Sequence, residues 1–342
     1  MLEVLSVGPM LSVQDQGRQG YRRSGVSPSG PMDPPSLALA NRLCGNPDRA
    51  AALEFAVLGG KFRAERPLRI AVTGGDCDLR LGTTAVAVNE THRLEAGETL
   101  SIGALRGTAW GYLALSGGID TPLVLGARAT HLRFGLGGLE GRVLKPGDRL
   151  PLGPETGPGP LLRPAIPPAV ATADTPIRLV LGPQDAHFAP EVLDLLTSEP
   201  FVVSAKRDRM AAVLDGPNLP AIGGHDIISD GAVPGAIQVP GSGKATVLMA
   251  ECQTTGGYPK IATVISADLP RLAQFPTGTA FRFAVVDRNT AEQAARAQAT
   301  ALQALLDGLQ VKPGGTLTSE YLLSRDLVGG IYDPEAVIPQ KP

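Results

Sequence analysis

The stretch Pro151-Leu152-Gly153-Pro154-Glu155-Thr156-Gly157-Pro158-Gly159-Pro160-Leu161-Leu162-Arg163-Pro164-Ala165-Ile166-Pro167-Pro168-Ala169-Val170-Ala171-Thr172-Ala173-Asp174-Thr175-Pro176 lies near the middle of the chain. Its prolines and glycines follow neither a helical nor a strand period, which is the composition of a linker. The sequences on its two sides begin alike. Leu2-Glu3-Val4-Leu5-Ser6-Val7-Gly8-Pro9 resembles Ile177-Arg178-Leu179-Val180-Leu181-Gly182-Pro183, and Gly25-Val26-Ser27-Pro28-Ser29-Gly30 is echoed by Gly231-Ala232-Val233-Pro234-Gly235. The expectation is two related β-rich units, residues 1–150 and 177–288. A linker over 151–176 joins them, and a C-terminal helix and tail over 289–342 follow.

Composition points the same way. Among 342 residues there are 42 Gly and 31 Pro, which without a G-X-Y period means many turns and short strands. A helical bundle, a collagen-like chain and a coiled coil are excluded. The hydrophobic content of 43% suffices for a core. With 31 basic against 33 acidic residues and no basic run, nucleic acid is not an expected partner. No run approaches the ~18–20 apolar residues of a membrane span, and Met1–Leu11 lacks the pattern of a signal peptide. Cys44, Cys77 and Cys252 are widely spaced without C-x-x-C, which argues against a disulfide framework or zinc site and for a reducing cytoplasm. No metal ligands are assigned.

Apolar or β-branched runs predict strands at Leu2–Val7, Leu68–Thr73, Ile177–Leu181, Ala245–Met249, Ile261–Ser266 and Ala280–Val286. Helices are few. Asp33 reads as an N-cap with Pro34 at the first helical position and Gly45 as the stop. A second short helix falls around Pro190–Leu196. A long Ala- and Leu-rich helix near the C-terminus reads as starting from a Thr290/Gln293 capping box and packing on a barrel.

Several motifs fail on inspection. Gly135-Leu136-Gly137-Gly138-Leu139-Glu140-Gly141 has Glu140 where a dinucleotide loop needs glycine, and Gly241-Ser242-Gly243-Lys244-Ala245-Thr246 lacks the first glycine and the hydroxyl of a phosphate loop. His92, His131, His187 and His225 stand at unrelated spacings and read as surface or hydrogen-bonding residues. Two polar clusters remain. Val13-Gln14-Asp15-Gln16-Gly17-Arg18 and the Gly25–Asp33 segment combine carboxylates, amide, guanidinium and hydroxyls, and can be read as a turn network pairing Asp15 with Arg18. Glu251-Cys252-Gln253-Thr254-Thr255-Gly256-Gly257-Tyr258-Pro259-Lys260 can be read as a hairpin tip, yet a tip alone does not call for Gln-Thr-Thr and a Tyr/Lys pair. Glycines admit a ligand to backbone N–H groups, and Lys260 can stabilise an oxyanion. Tyr258 can relay a proton beside it.

The clusters also occur in a familiar order. Val13–Arg18, Gly25–Asp33, Ala40-Asn41, Ala52-Leu53-Glu54, Tyr112-Leu113-Ala114, Gly126–Thr130, Gly182-Pro183-Gln184-Asp185, Asp208-Arg209-Met210, Ile228-Ser229-Asp230-Gly231, Gly235–Pro240 and Thr254–Lys260 follow one family along the chain. The chain resembles the biotin-dependent carboxyltransferase family, also called allophanate hydrolase subunit 2 or the 5-oxoprolinase C subunit. The resemblance implies a mainly β fold of two cyclophilin-like β-barrel domains with a few short helices and a C-terminal helix. It also implies cytoplasmic work beside an allophanate hydrolase subunit 1-type partner (the 5-oxoprolinase B subunit) and the 5-oxoprolinase A subunit.

Three functions follow from it. The favoured one is a subunit of an ATP-dependent 5-oxoprolinase that opens 5-oxo-L-proline to L-glutamate, with ATP and Mg2+ bound at the level of the complex. The second is a carboxyltransferase subunit for urea or a related amide, with biotin on a separate carrier. The third is a regulatory partner without chemistry. Lys260, Tyr258, Asp230 and Asp15 are the candidate catalytic residues. Gln14, Arg18, Ser29, Met32, Arg128, Arg209, Gln238, Gln253, Thr254, Thr255, Gly256 and Gly257 are the candidate substrate-binding ones. Two departures from the family pattern, Ala211-Ala212-Val213 after Arg209-Met210 and the alanines of Gly126-Ala127-Arg128-Ala129-Thr130, would shift specificity if they touched substrate.

Overall fold

Alternation along Asp76–Leu81 shows how the first half is built. Cys77 and Leu79 point into a core while Asp76, Asp78 and Arg80 face water, the period-two signature of a half-buried strand. The structure is a computed structural model and describes residues 1–155 and 159–312; the tail expected beyond 312 lies outside the described residues. Asp76–Leu81 belongs to a six-stranded sheet ordered Arg149–Leu150, Leu2–Val7, Leu58–Ala64, Thr99–Arg106, Asp76–Leu81, Thr84–Val86. A five-stranded sheet, ordered Ser12–Gln14, Ala52–Ala56, Trp110–Leu115, Leu68–Thr73, Thr91–Leu94, packs on it. Leu2, Val4, Phe62 and Leu100 from the one meet Leu53, Phe55, Val72 and Leu113 from the other in a single core.

The second half carries an eight-stranded sheet. Its order is Ala280–Phe281, Phe201–Arg207, Ala211–Asp215, Thr246–Leu248, Ala236–Gln238, Lys260–Val264, Ile177–Leu181, Phe283–Val285. The two edge strands are consecutive in the chain with only Arg282 between them, so the sheet must curl until its edges adjoin. It is a nearly closed barrel. The single strand expected over 280–286 therefore divides: one part pairs antiparallel with Phe201–Arg207 and the other parallel with Ile177–Leu181. The fold is mainly β.

Among the described residues four α-helices accompany the sheets: α1 (Pro34–Leu43), α2 (Pro190–Ser198), α3 (Leu269–Gln274) and α4 (Arg288–Asp307). Asp33 caps α1, its Oδ1 accepting the Ser36 N–H at 3.2 Å, and Gly45 follows the helix at φ 69°. The cap of α4 is Asp287 rather than Thr290. Its carboxylate accepts the Thr290 N–H at 2.8 Å, and its charge suits the positive end of the helix dipole. On α4, Leu302, Leu305 and Leu306 pack against Leu37, Leu39 and Leu43 of α1, and Leu309–Val311 beyond it pairs with Leu162–Pro164.

The Glu251–Lys260 segment is not a hairpin tip. Ala236–Gln238 lies between the strands on either side of it, so the segment crosses over, and its Thr255–Gly256 forms a short ladder with Asp230–Gly231. Among the described residues no helix is long and apolar enough to cross a membrane.

Candidate functional site

Strand register assembles the first group of site residues. Lys260 opens its strand as the cross-strand partner of Gln238, and Asp230 pairs with Gly256. Only 2% of Lys260 is exposed, yet its Nζ sits 3.1 Å from Asp230 Oδ2, and that carboxylate remains half-exposed. Gln184 holds the pair from both ends. Its Nε2 donates to Asp230 Oδ2 at 3.0 Å, and its Oε1 accepts the Lys260 N–H at 3.1 Å. Hydrogen bonding from Lys260, then from Gln184, keeps the Asp230 carboxyl below the usual aspartate range. Gln253 Nε2 donates to Gln238 Oε1 at 3.0 Å, directly under Gly256. A Cβ on Gly256 would stand 2.3 Å from Gln238 Nε2, so any larger residue there must push that amide aside.

Tyr258 is 43% exposed and its phenol makes no hydrogen bond among the described residues; the ionic partner of Lys260 is Asp230. Thr254 accepts the Ala232 N–H at 2.9 Å through its carbonyl, and Gly257 accepts that of Ile227 at the same distance.

The second group joins the two halves. Arg209, 1% exposed, donates through Nε to Glu251 Oε1 at 2.6 Å and through Nη1 to Glu54, while Nη2 reaches the Gly30 carbonyl at 2.5 Å and Ser29 Oγ at 3.2 Å. Glu54 accepts two further bonds at 2.8 Å, from the Met32 N–H and the Tyr112 hydroxyl. Burial pushes the Glu54 carboxyl up, and Arg209 is the main group pulling it back. Met32 itself packs into the core of the second half. Pro28, Ser29, Met32, Leu181, Val264 and Leu269 line an apolar groove of about 1110 Å³ beside this network.

The third group surrounds Ala129–Thr130. Asp15 accepts backbone N–H groups from Gly17 at 2.9 Å, Arg128 at 2.5 Å and Ala129 at 3.2 Å; it does not hydrogen-bond Arg18. Arg18 donates to the Ala129 carbonyl, and burial draws its pKa down against the pull of Asp15 and Glu251. Gln14 donates to Ser12 Oγ at 3.0 Å and the Thr130 carbonyl at 3.1 Å, and the Arg128 side chain turns to Asp120. Ser29 Oγ, donating to the Thr130 carbonyl at 2.6 Å, ties this group to the second. Ala127 and Ala129 are buried and Ala129 serves through its backbone.

Sequence reasoning left out Glu54, Glu251, Gln184, Ser27 and His131. Ser27 Oγ lies 2.9 Å from His131 Nε2, and His131 Nδ1 lies 3.8 Å from Glu251. One signal was available: Glu54 stands alone in Ala52-Leu53-Glu54-Phe55-Ala56, an apolar strand whose every residue is buried. A buried carboxylate there demands a cation from elsewhere in the fold. The cysteines are free and buried, with burial raising Cys77 to about 11 and Cys44 and Cys252 upward as well, so none is an activated thiol. Among the described residues no group of three or more His, Cys, Asp or Glu could hold a metal ion.

Residues 24–285 match the carboxyltransferase domain, subdomain A and B, and the chain belongs to that family. It is 38% identical over 290 residues to the C subunit of 5-oxoprolinase from Escherichia coli (strain K12), covering 83% of this chain and 90% of that protein. To the C subunit of the Haemophilus influenzae 5-oxoprolinase it is 32% identical, covering 86% and 94%. Among solved structures it superimposes on the K. lactis urea amidolyase with a TM-score of 0.80 at 30% identity, covering 89% of this chain and 20% of that one.

Proposed function

We propose that this chain is the lactam-binding subunit of a cytoplasmic, ATP-dependent 5-oxoprolinase, which opens 5-oxo-L-proline to L-glutamate with partners of the A and B type. The observation that carries the reading is Lys260. A cation almost wholly removed from water, held at 3.1 Å by one half-exposed carboxylate, would meet charge developing on an amide oxygen in our reading. Asp230 orients it, and Gln184 fixes both. The likeness to the 5-oxoprolinase C subunit over most of both chains supports the substrate class.

The nucleotide is assigned to a partner chain. At the Gly241–Lys244 turn, Lys244 Nζ is engaged with Asp215 at 2.6 Å and the Asn218 side chain lies against Gly243, so the turn does not fit a phosphate. A second reading, transfer of a carboxyl group from a carrier-borne biotin to urea or a related amide, is favoured by the likeness to the K. lactis urea amidolyase.

Reconstitution with the partner subunits and an ATP- and 5-oxoproline-dependent glutamate assay tests the reading. Turnover is expected, and Lys260→Met is expected to lower kcat by ~10²-fold or more, the usual loss for one oxyanion-stabilising group. Absence of turnover in the wild-type complex, or wild-type kcat in the variant, would overturn it. Activity dependent on carboxybiotin instead would establish the second reading.

A further inference from the structure

Large apolar side chains in contact with water are ordinary when scattered and informative when they adjoin. On the second half they adjoin around the Lys260 site. Ile228, 94% exposed, and Tyr258 stand on the two strands of the Asp230–Gly231/Thr255–Gly256 ribbon. The bond from the Ile227 N–H to the Gly257 carbonyl prolongs that ribbon past its ladder. Its first strand runs on through Ala232, held by Thr254, to exposed Val233 and then Pro234. Pro234 lines the apolar groove of about 1110 Å³, and exposed Leu181 and Val285 line it too. Leu181 in turn leads through Gly182 to Gln184, which binds both Asp230 and Lys260. One apolar tract therefore runs from the mouth of the lysine site to the groove.

The charge along this tract is one-sided. Asp185 follows Gln184, Asp226 precedes Ile227, and Asp287 and Glu292 line the groove. Of the cations, Lys260 is engaged by Asp230 at 3.1 Å and Arg288 by Glu292 at 2.8 Å, while Arg22 of the first half lies on the Ala232 carbonyl. A tract apolar along its length and acidic at its border fits a protein face with apolar anchors and a basic rim. A second copy of this chain does not offer that rim, because the face meeting itself sets acid against acid. A small ligand filling the groove leaves Ile228 and Tyr258 in water. Covering the ribbon also takes half-exposed Asp230 out of water, which strengthens its hold on Lys260.

We propose that this tract, from Ile228 and Tyr258 to the groove between Leu181 and Val285, is the docking face for a partner subunit. That subunit presents apolar anchors within a basic rim and closes the Lys260 site. The inference rests on the complex proposed above, but its test reads binding and not turnover. The full chain is immobilised, each partner subunit of the complex is passed over it, and both rates are recorded at low and high salt. One partner is expected to bind. Ile228→Glu and Val285→Glu are each expected to weaken it about tenfold or more, chiefly through faster dissociation. Leu123→Glu, at a residue of the first half that is 58% exposed, is expected to leave it unchanged. Asp226→Lys is expected to slow association and flatten its salt dependence, and thermal transitions confirm that every variant folds. Unchanged binding in folded Ile228→Glu and Val285→Glu, an equal loss in Leu123→Glu, or no binding by either partner would overturn the inference. So would self-association of the wild-type chain that Ile228→Glu abolishes, which would give the face to a second copy. Losses confined to the tract, in a complex that does not turn over 5-oxoproline, would uphold the docking face while the catalytic reading fell.

Discussion

His131 is a neutral imidazole by position. Burial holds its pKa below the usual histidine value, with Glu251 opposing and Arg18 and Arg209 adding to the depression. The unfolded chain takes up the proton near ~6.5, whereas the folded one resists it. The contribution to stability is therefore complete above that value and falls away as the pH drops toward the folded-state pKa. Urea midpoints measured at about pH 8 and about pH 5.5 should differ less in His131→Gln than in wild type. His92, also depressed by burial, contributes equally to both proteins, so equal differences would show that His131 plays no part. At this scale the sequence revealed what was contiguous. Gln253 to Lys260 stood in one polar run. The bond of Arg209 to Glu54 and Glu251 was not legible, because it spans both halves and only the folded chain brings Glu54, an isolated acid in an apolar strand, to its cation.

Elements were readable where their own residues decide them. The Asp33 cap and the prolines after it define α1 locally, and Leu2–Val7, Leu68–Thr73 and Ile177–Leu181 occur where their apolar runs placed them. Division of the 280–286 run at Arg282 was not readable, since it depends on which strands wait on either side. The start of α4 at Asp287 shows two local signals competing, an aspartate against a threonine three residues on. Packing of α4 on α1 through Leu306 makes the helix part of the first half's core although it follows the second half in sequence. Leu306→Ala should cost about 2–5 kcal/mol, read from the urea midpoint at constant m-value. A loss below ~0.5 kcal/mol would mean the helix lies on the sheet without being held by this residue.

Across the whole molecule, the halves are joined by polar groups that neither can satisfy alone. Arg209 of the second half is enclosed by Glu54 and Ser29 of the first, and Gln274 of α3 closes on Asp33 and the Trp110 strand. Removing the arginine leaves Glu54 and Glu251 as buried carboxylates without their cation, a change that costs roughly 3–5 kcal/mol. Calorimetry on wild type should give one cooperative transition, and Arg209→Met should lower it and separate it into two. Lysine is not expected to rescue, because one ammonium cannot serve two carboxylates, a carbonyl and a hydroxyl in a forked plane. A single unshifted transition in Arg209→Met would place the joint elsewhere.

The barrel's first and last strands are neighbours, but Ile177 runs parallel to Phe283, so the chain enters at one end of that wall and leaves toward the other. The chain that leaves runs on through α4 and back onto the first half. With Arg209 held by Glu54 as well, the two halves form the unit that travels, not the barrel alone. The same architecture can thus stand in a chain of 342 residues and also occupy a fifth of a far longer polypeptide.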